Sequence, residues 1–264
     1  MLEINNIYKT FNPGTVNEKV ALNGVSLKLN DGDFVTVIGG NGAGKSTLLN
    51  AVAGTWKVDE GSILIDGIDV TKMQDYKRAK FLGRVFQDPM MGTGPTMGID
   101  ENLALAARRG KFRGLAREIT AKERAGFKEI VKILDLGLED RLTSKVGLLS
   151  GGQRQAVTLL MASLKKPKLL LLDEHTAALD PKTAAKVLDA TETIVNRDHL
   201  TTLMITHNMK DAIAHGNRLI MMKDGKIILD ISGEEKKNLT VEELLEKFNS
   251  VGGEDAVNDR MILG

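Results

Sequence analysis

Residues 34–46 read FVTVIGGNGAGKS. The first five are apolar and mostly β-branched or aromatic, which predicts a short strand buried on both faces. The next eight, Gly39-Gly40-Asn41-Gly42-Ala43-Gly44-Lys45-Ser46, fit the pattern G-x-x-x-x-G-K-[ST], and Ser46 to Ala53 reads as a helix. A strand, a glycine-rich loop and a helix in this order make a phosphate cradle. Glycines let the backbone wrap an anion with its N–H groups pointing inward, and the helix start adds partial positive charge. Lys45 has the reach for β- and γ-phosphates, and the Ser46 hydroxyl is a hard ligand for Mg²⁺. Thr47 follows directly and is counted with the phosphate-binding set. The stretch predicts an α/β fold that binds and hydrolyses ATP.

Working outward, residues 2–8 and 20–29 alternate apolar and polar side chains, as half-buried antiparallel strands do. Asn30 to Asp33 is a turn, and Gly61 to Ile68 reads as a hairpin around Asp66-Gly67. Residues 84–86 make another short strand. Asp88 to Gly98 is a loop rich in Met, Gly and Pro, in which Met90-Met91 fits either an adaptable apolar contact or a core position. Residues 99–136 carry helical spacing with many charges. Strands are expected at 168–173, 201–206, 218–222 and 226–230, and helices at 182–197 and 209–214. Thr240 and Glu243 form the capping box of a last helix over 240–248.

Two further stretches carry chemistry. Leu169 to Glu174 (LLLLDE) is an apolar strand ending in two acids, which puts both carboxylates at the carboxyl edge of a sheet, where α/β ligands bind. Asp173 can hold Mg²⁺ directly or through water, and Glu174 can orient or deprotonate an attacking water. Leu149 to Gln155 (LSGGQRQ) precedes a helix, Ala156 to Leu164. Ser150-Gly151-Gly152 there fits a plain helix cap, and equally a second anion-binding device. One nucleotide does not use two such devices on one chain, so the second would complete a site on another copy.

With these motifs in hand, the chain resembles the nucleotide-binding subunit of an ATP-binding cassette (ABC) transporter over about residues 2–230. LSGGQRQ matches that family's signature. The resemblance implies an α/β phosphate-loop NTPase core with a mixed and partly parallel sheet, an antiparallel β lobe and an inserted helical subdomain over about 88–167. Residues 1–250 would form one ATPase domain, followed by a tail, 251–264, that carries scattered charge and is expected to be partly disordered. The resemblance also implies roles. Phe11 would stack on adenine, the alternative being a core phenylalanine. Gln87 would touch Mg²⁺ or the attacking water, and His207 would hydrogen-bond the γ-phosphate. Ser150, Gly151, Gly152 and Gln153 would close over the partner copy's ATP, and Asp180 would lie in the loop crossing that interface. Two positions depart from the family pattern: His175 stands where Pro is common, and Ala177 where Ser is common.

The implied partners are a second copy of the chain, separate transmembrane permease subunits and an extracytoplasmic solute-binding protein, at the cytoplasmic face of the membrane. The variants DEHTAALDPKTA and QDPMMGTGP resemble bacterial importers, some of which take up amino acids. An exporter or lipid-extruding complex is the alternative, and a soluble ABC ATPase on ribosomes or DNA the third reading. A net charge of only +1 does not suit nucleic acid. With no cysteine, thiolate metal sites and cysteine nucleophiles are excluded. The N-terminus has no signal-peptide pattern, and no apolar run approaches the roughly 20 residues of a membrane span.

Overall fold

Antiparallel pairing begins at the first residues of the computed structural model, which describes residues 1–110 and 119–252. Strand β1 (Leu2–Phe11) pairs with β2 (Lys19–Leu29). The buried strand β3 (Phe34–Ile38) leads into the glycine-rich loop and α1 (Lys45–Ala53). Next come β4 (Glu60–Ile65), β5 (Ile68–Asp69) and the short α2 (Asp75–Arg78). Then follow β6 (Leu82–Val85), α3 (Ile99–Ala107), α4 (Ala121–Lys132), α5 (Gly151–Ser163), β7 (Leu169–Asp173) and α6 (Pro181–Asp198). The chain ends with β8 (Thr201–Ile205), α7 (Met209–Ala214), β9 (Arg218–Lys223), β10 (Lys226–Ser232), α8 (Gly233–Lys237) and α9 (Val241–Gly252). Two units result: residues 1–81 together with the chain from 200 onward, and residues 82–199.

In the first unit, one sheet is antiparallel, in the order β2-β1-β4-β5. Its β4–β5 turn has Asp66 and Gly67 both at positive φ, 55° and 75°, as a two-residue hairpin of the twist-matched kind requires. The other sheet runs β10-β9-β3-β8, with β3 parallel to both β8 and β9. All five residues of β3 and of β8 are buried. Helix α9 lays Leu244 and Phe248 against Ile38, Met209, Leu219 and Met221. Its start carries the expected box, with Glu243 N–H donating to Thr240 Oγ1 and Thr240 N–H to the Glu243 carboxylate.

The largest fully buried side chain of this unit is polar. Arg78 donates to the carbonyls of Ala51 (2.7 Å) and Val52 (2.9 Å) near the end of α1, and to Thr71 and Met73 (3.0 Å each). The last carbonyls of a helix have no intrahelical donor and carry its negative pole, so a guanidinium there satisfies both. Burial lowers the pKa of this group.

In the second unit β6 and β7 are parallel neighbours, and α5 buries Ala156, Val157, Leu159 and Leu160. Among the described residues, the expected helical stretch 99–136 contains α3 and α4. Thr120 caps α4, and Glu123 closes the box; the Thr120 N–H, and Arg108 beside it, hold the Glu123 carboxyl at about 2. Residues 111–118, within that stretch, and residues 253–264 of the expected disordered tail lie outside the described residues. Buried Asn102 on α3 clasps the preceding loop, exchanging hydrogen bonds with Gly94 and donating to Gly98. Met90 and Met91 are exposed in a 3₁₀ turn, so the core reading of that pair is set aside. No described helix is long and apolar enough to cross a membrane.

Candidate functional site

The phosphate loop is held on both sides by backbone. The Gly225 N–H donates to the Ala43 carbonyl (3.1 Å), and the Asn23 N–H donates to Gly225 (2.9 Å), tying the loop to the β9–β10 turn and to β2. Gly44 has φ 102°, and a Cβ there would lie 2.5 Å from the Ala21 carbonyl oxygen. Gly39 has φ 148°, and its Cβ would lie 2.2 Å from the Met222 carbonyl oxygen. Both positions therefore require glycine for backbone angle and for space. Gly40 is buried, and Asn41 and Gly42 are exposed at the tip. Lys45 is 7% exposed, and its ammonium donates to Gly39 (2.7 Å) and Gly40 (3.1 Å) carbonyls, so the loop holds the charge within itself. The start of α1 has no side-chain cap, and Ser46 is exposed with Thr47 half-buried behind it.

His207 lies two residues beyond β8, and the parallel register pairs Val37 with Ile205. The Thr206 N–H donates to the Val37 carbonyl (3.1 Å). His207 and the phosphate loop therefore leave the same edge of one sheet on adjacent strands. Asn208 caps α7 just after it, and burial raises the Asp211 carboxyl one turn on, partly offset by His215 and His207. Phe11, at the end of β1, is half-buried rather than in the core. Its ring meets Trp56 edge-on at 4.9 Å, with Lys9 Nζ 5.6 Å from its centre.

The second unit carries the remaining expected residues. β6 and β7 run parallel with Val85 opposite Leu172, so exposed Gln87 and the half-buried acids Asp173 and Glu174 leave neighbouring strand ends. Glu174 has φ 44°, a left-handed conformation uncommon for a residue with a side chain. Ser150 caps α5, its hydroxyl accepting from Gln153 N–H (3.2 Å) while the Gln153 side chain accepts from Ser150 N–H (3.2 Å). The cap reading is thus satisfied geometrically, and it is compatible with anion binding because a box uses only part of a helix's free donors. Gly152 faces α6, where a Cβ would lie 1.9 Å from the Thr183 methyl, and a Cβ on Gly151 would lie 3.4 Å from Leu179 in the turn before that helix. Asp180 caps α6 by accepting from Thr183 N–H (3.1 Å), and hydrogen bonds from Thr183 lower its pKa.

Sequence reasoning missed two side chains here. Arg84 reaches from β6 to within 3.6 Å of the Asp173 carboxylate and lies over the Phe86 ring at 4.5 Å, and burial lowers its pKa. Gln155, 1% exposed, donates to the Phe86 carbonyl (3.0 Å), linking the signature helix to the residue before Gln87. An arginine inside a four-residue strand was the one available signal for Arg84. Nothing in LSGGQRQ singles out its last glutamine.

The donor chemistry suits a hard cation. Among the described residues no three His, Asp or Glu side chains cluster as a metal cage. Mg²⁺ is commonly held by one or two carboxylates together with substrate phosphates rather than by such a cage, and Ser46 and Asp173 are oxygen donors of that type. Replacing Lys45 by Ala is expected to weaken ATP binding on the order of 10–150-fold, the worth of about 1.5–3 kcal/mol for a hydrogen bond to a charged group. Fluorescent-nucleotide titration measures this, and unchanged affinity would count against the loop.

Residues 22–177 match the family described as ABC transporter. The chain is 47% identical over 253 residues to the tyrosine transport ATP-binding protein of Clostridioides difficile, covering 94% of this chain and 98% of that one. It is 33% identical to an energy-coupling factor transporter ATP-binding protein of Clostridium acetobutylicum, over 86% of this chain and 78% of the relative. Among solved structures, it resembles a dimeric ATP-binding cassette in a post-hydrolysis state bound to ADP and phosphate. That likeness has a TM-score of 0.75 and 31% identity, covering 88% of this chain and 98% of that chain.

Proposed function

The chain belongs to the ABC transporter family as an ATP-hydrolysing, nucleotide-binding subunit, and from that premise we propose that it energises import of a small solute, an amino acid in the first instance, by closing as a head-to-tail dimer around ATP. The observation that carries the dimer is that one chain presents two helix starts suited to phosphate. One is the glycine-locked loop before α1, and the other is Ser150-Gly151-Gly152 before α5. Each ATP would lie between the loop of one copy and the signature residues Ser150 to Gln153 of the other, with Asp180 beside the interface. Residues 1–250 would work as one cassette, with 88–167 as its helical subdomain and 251–264 as a tail.

The chain's own groups supply the hydrolytic step. Lys45 and the loop N–H groups, Gly39 to Ser46 with Thr47 following, offset charge on the β- and γ-phosphates. Glu174 takes a proton from water as its oxygen attacks the γ-phosphorus, and ADP leaves with the bond electrons. Gln87 orients that water, His207 donates to a γ-phosphate oxygen, and Phe11 stacks on adenine. Mg²⁺, when bound through Ser46 and Asp173 with Gln87 nearby, neutralises developing phosphate charge.

Amino-acid import is supported by the tyrosine transport relative, which matches nearly end to end. The solute itself would pass through separate permease subunits, with an extracytoplasmic binding protein delivering it. The exposed Met90, Met91 and Leu148 offer adaptable apolar surface for docking such a permease. Affinity capture from native membranes with mass spectrometry tests the assignment. A permease together with a solute-binding protein is the expected result. A permease alone would point to export, and ribosomal proteins or DNA would overturn transport.

A further inference from the structure

We propose that His175 is a positioning residue that fixes the backbone of Glu174 by tying it to α6. The inference rests on the reading of Glu174 as the general base. His175 is 2% exposed, and its Nε2 lies 3.1 Å from the Thr191 hydroxyl, itself 1% exposed and sixteen residues further on. That hydroxyl has a single proton, which it donates to the Val187 carbonyl at 2.7 Å. Thr191 can therefore only accept from the imidazole, so Nε2 carries a proton and the bond runs from His175 to α6.

The residue next to this bond is itself in an unusual conformation. Glu174 sits at φ 44°, which residues with a Cβ adopt stably only where the surroundings impose it. Beyond it the turn is closed by the Ala177 N–H to the Glu174 carbonyl (3.0 Å) and the Leu179 N–H to Thr176 (3.1 Å). Asp180 then starts α6. The turn is thus anchored at its far end by the helix cap and at its near end by His175. A carboxylate that must meet a water within hydrogen-bond reach depends on such anchoring, because a displacement of about 1 Å can cost on the order of 10²-fold in rate. Thr191, inside α6, belongs to the same device although it touches no substrate.

The test is a set of variants read by single-turnover ATP hydrolysis and, separately, by ATP affinity. His175→Ala is expected to lower the rate about 10–100-fold with ATP affinity unchanged. Thr191→Val, which keeps the shape and removes the acceptor, should reproduce that loss, and the double variant should lose no more than either alone. His175→Gln presents an amide N–H in place of Nε2–H and should recover most of the rate. In a Glu174→Gln background, His175→Ala should change nothing further, whereas a general structural defect would lower the rate there too. A full rate in both His175→Ala and Thr191→Val, or equal losses with and without Glu174, overturns the proposal. If His175→Ala does not fold, Thr191→Val and His175→Gln decide it. An unchanged rate in Glu174→Gln alone removes the base assignment instead, so the two failures are distinguishable.

Discussion

Glu174→Gln is expected to bind ATP and to turn it over about 10²–10⁴-fold more slowly, the usual worth of a positioned general base. The substitution keeps the size of the side chain and its place after β7, so the phosphate and metal roles proposed for Lys45 and Ser46 should be untouched. What it removes is the carboxylate lone pair proposed to take the water's proton, since an amide oxygen is far too weak a base. Because ATP then persists far longer, a dimer closed around it should reopen far more slowly. Size-exclusion chromatography with ATP should show this variant as a dimer and the wild type mainly as a monomer. A wild-type ATPase rate in the variant would remove Glu174 from the mechanism. A slow monomer would leave the base in place and reject closure around nucleotide.

Arg78→Ala lowers stability rather than chemistry. Each buried carbonyl left without a donor costs about 1–3 kcal/mol. Arg78 serves two buried carbonyls, Ala51 and Val52, and two part-buried ones, Thr71 and Met73, and of these Ala51 keeps the Gly54 N–H (3.2 Å). Water entering the space left behind recovers part of that, so a net loss of about 3–5 kcal/mol is expected, at the upper end of single-substitution effects. In a domain of this size that corresponds to a fall in Tm of roughly 6–20 °C. Calorimetry or a thermal circular-dichroism melt measures it. Since two of the carbonyls end α1, whose other end is the proposed phosphate site, saturating ATP should restore only part of the loss. A Tm within 2 °C or so of wild type would mean that water replaces the guanidinium without cost.

The elements flanking the phosphate loop were legible because they are encoded locally. A β-branched run, positive-φ glycines and a helix start each declare themselves within about ten residues, and β3 and α1 appear where that pattern places them. The hairpin at Asp66-Gly67 and the box at Thr240 and Glu243 are of the same kind. The helical spacing over 99–136 places α3 and α4, although the many charged residues there do not mark where either helix starts or stops. The short α2 and α8 were missed, having too few turns to show a period.

The sequence by itself determined a phosphate-loop ATPase with a family signature, because a nucleotide-binding loop is made by neighbouring residues whose backbone angles and donors do the work. The tertiary structure decided how that loop and its companions are held. Gly44 is pressed against Ala21, Arg78 closes the far end of α1, Arg84 faces Asp173, and His175 is bonded to Thr191. Each of these depends on a partner many residues away, and no periodicity or spacing records which polar groups will meet once the strands align. A buried polar side chain is tolerated only with a partner, so its role is written in the packing rather than in the motif.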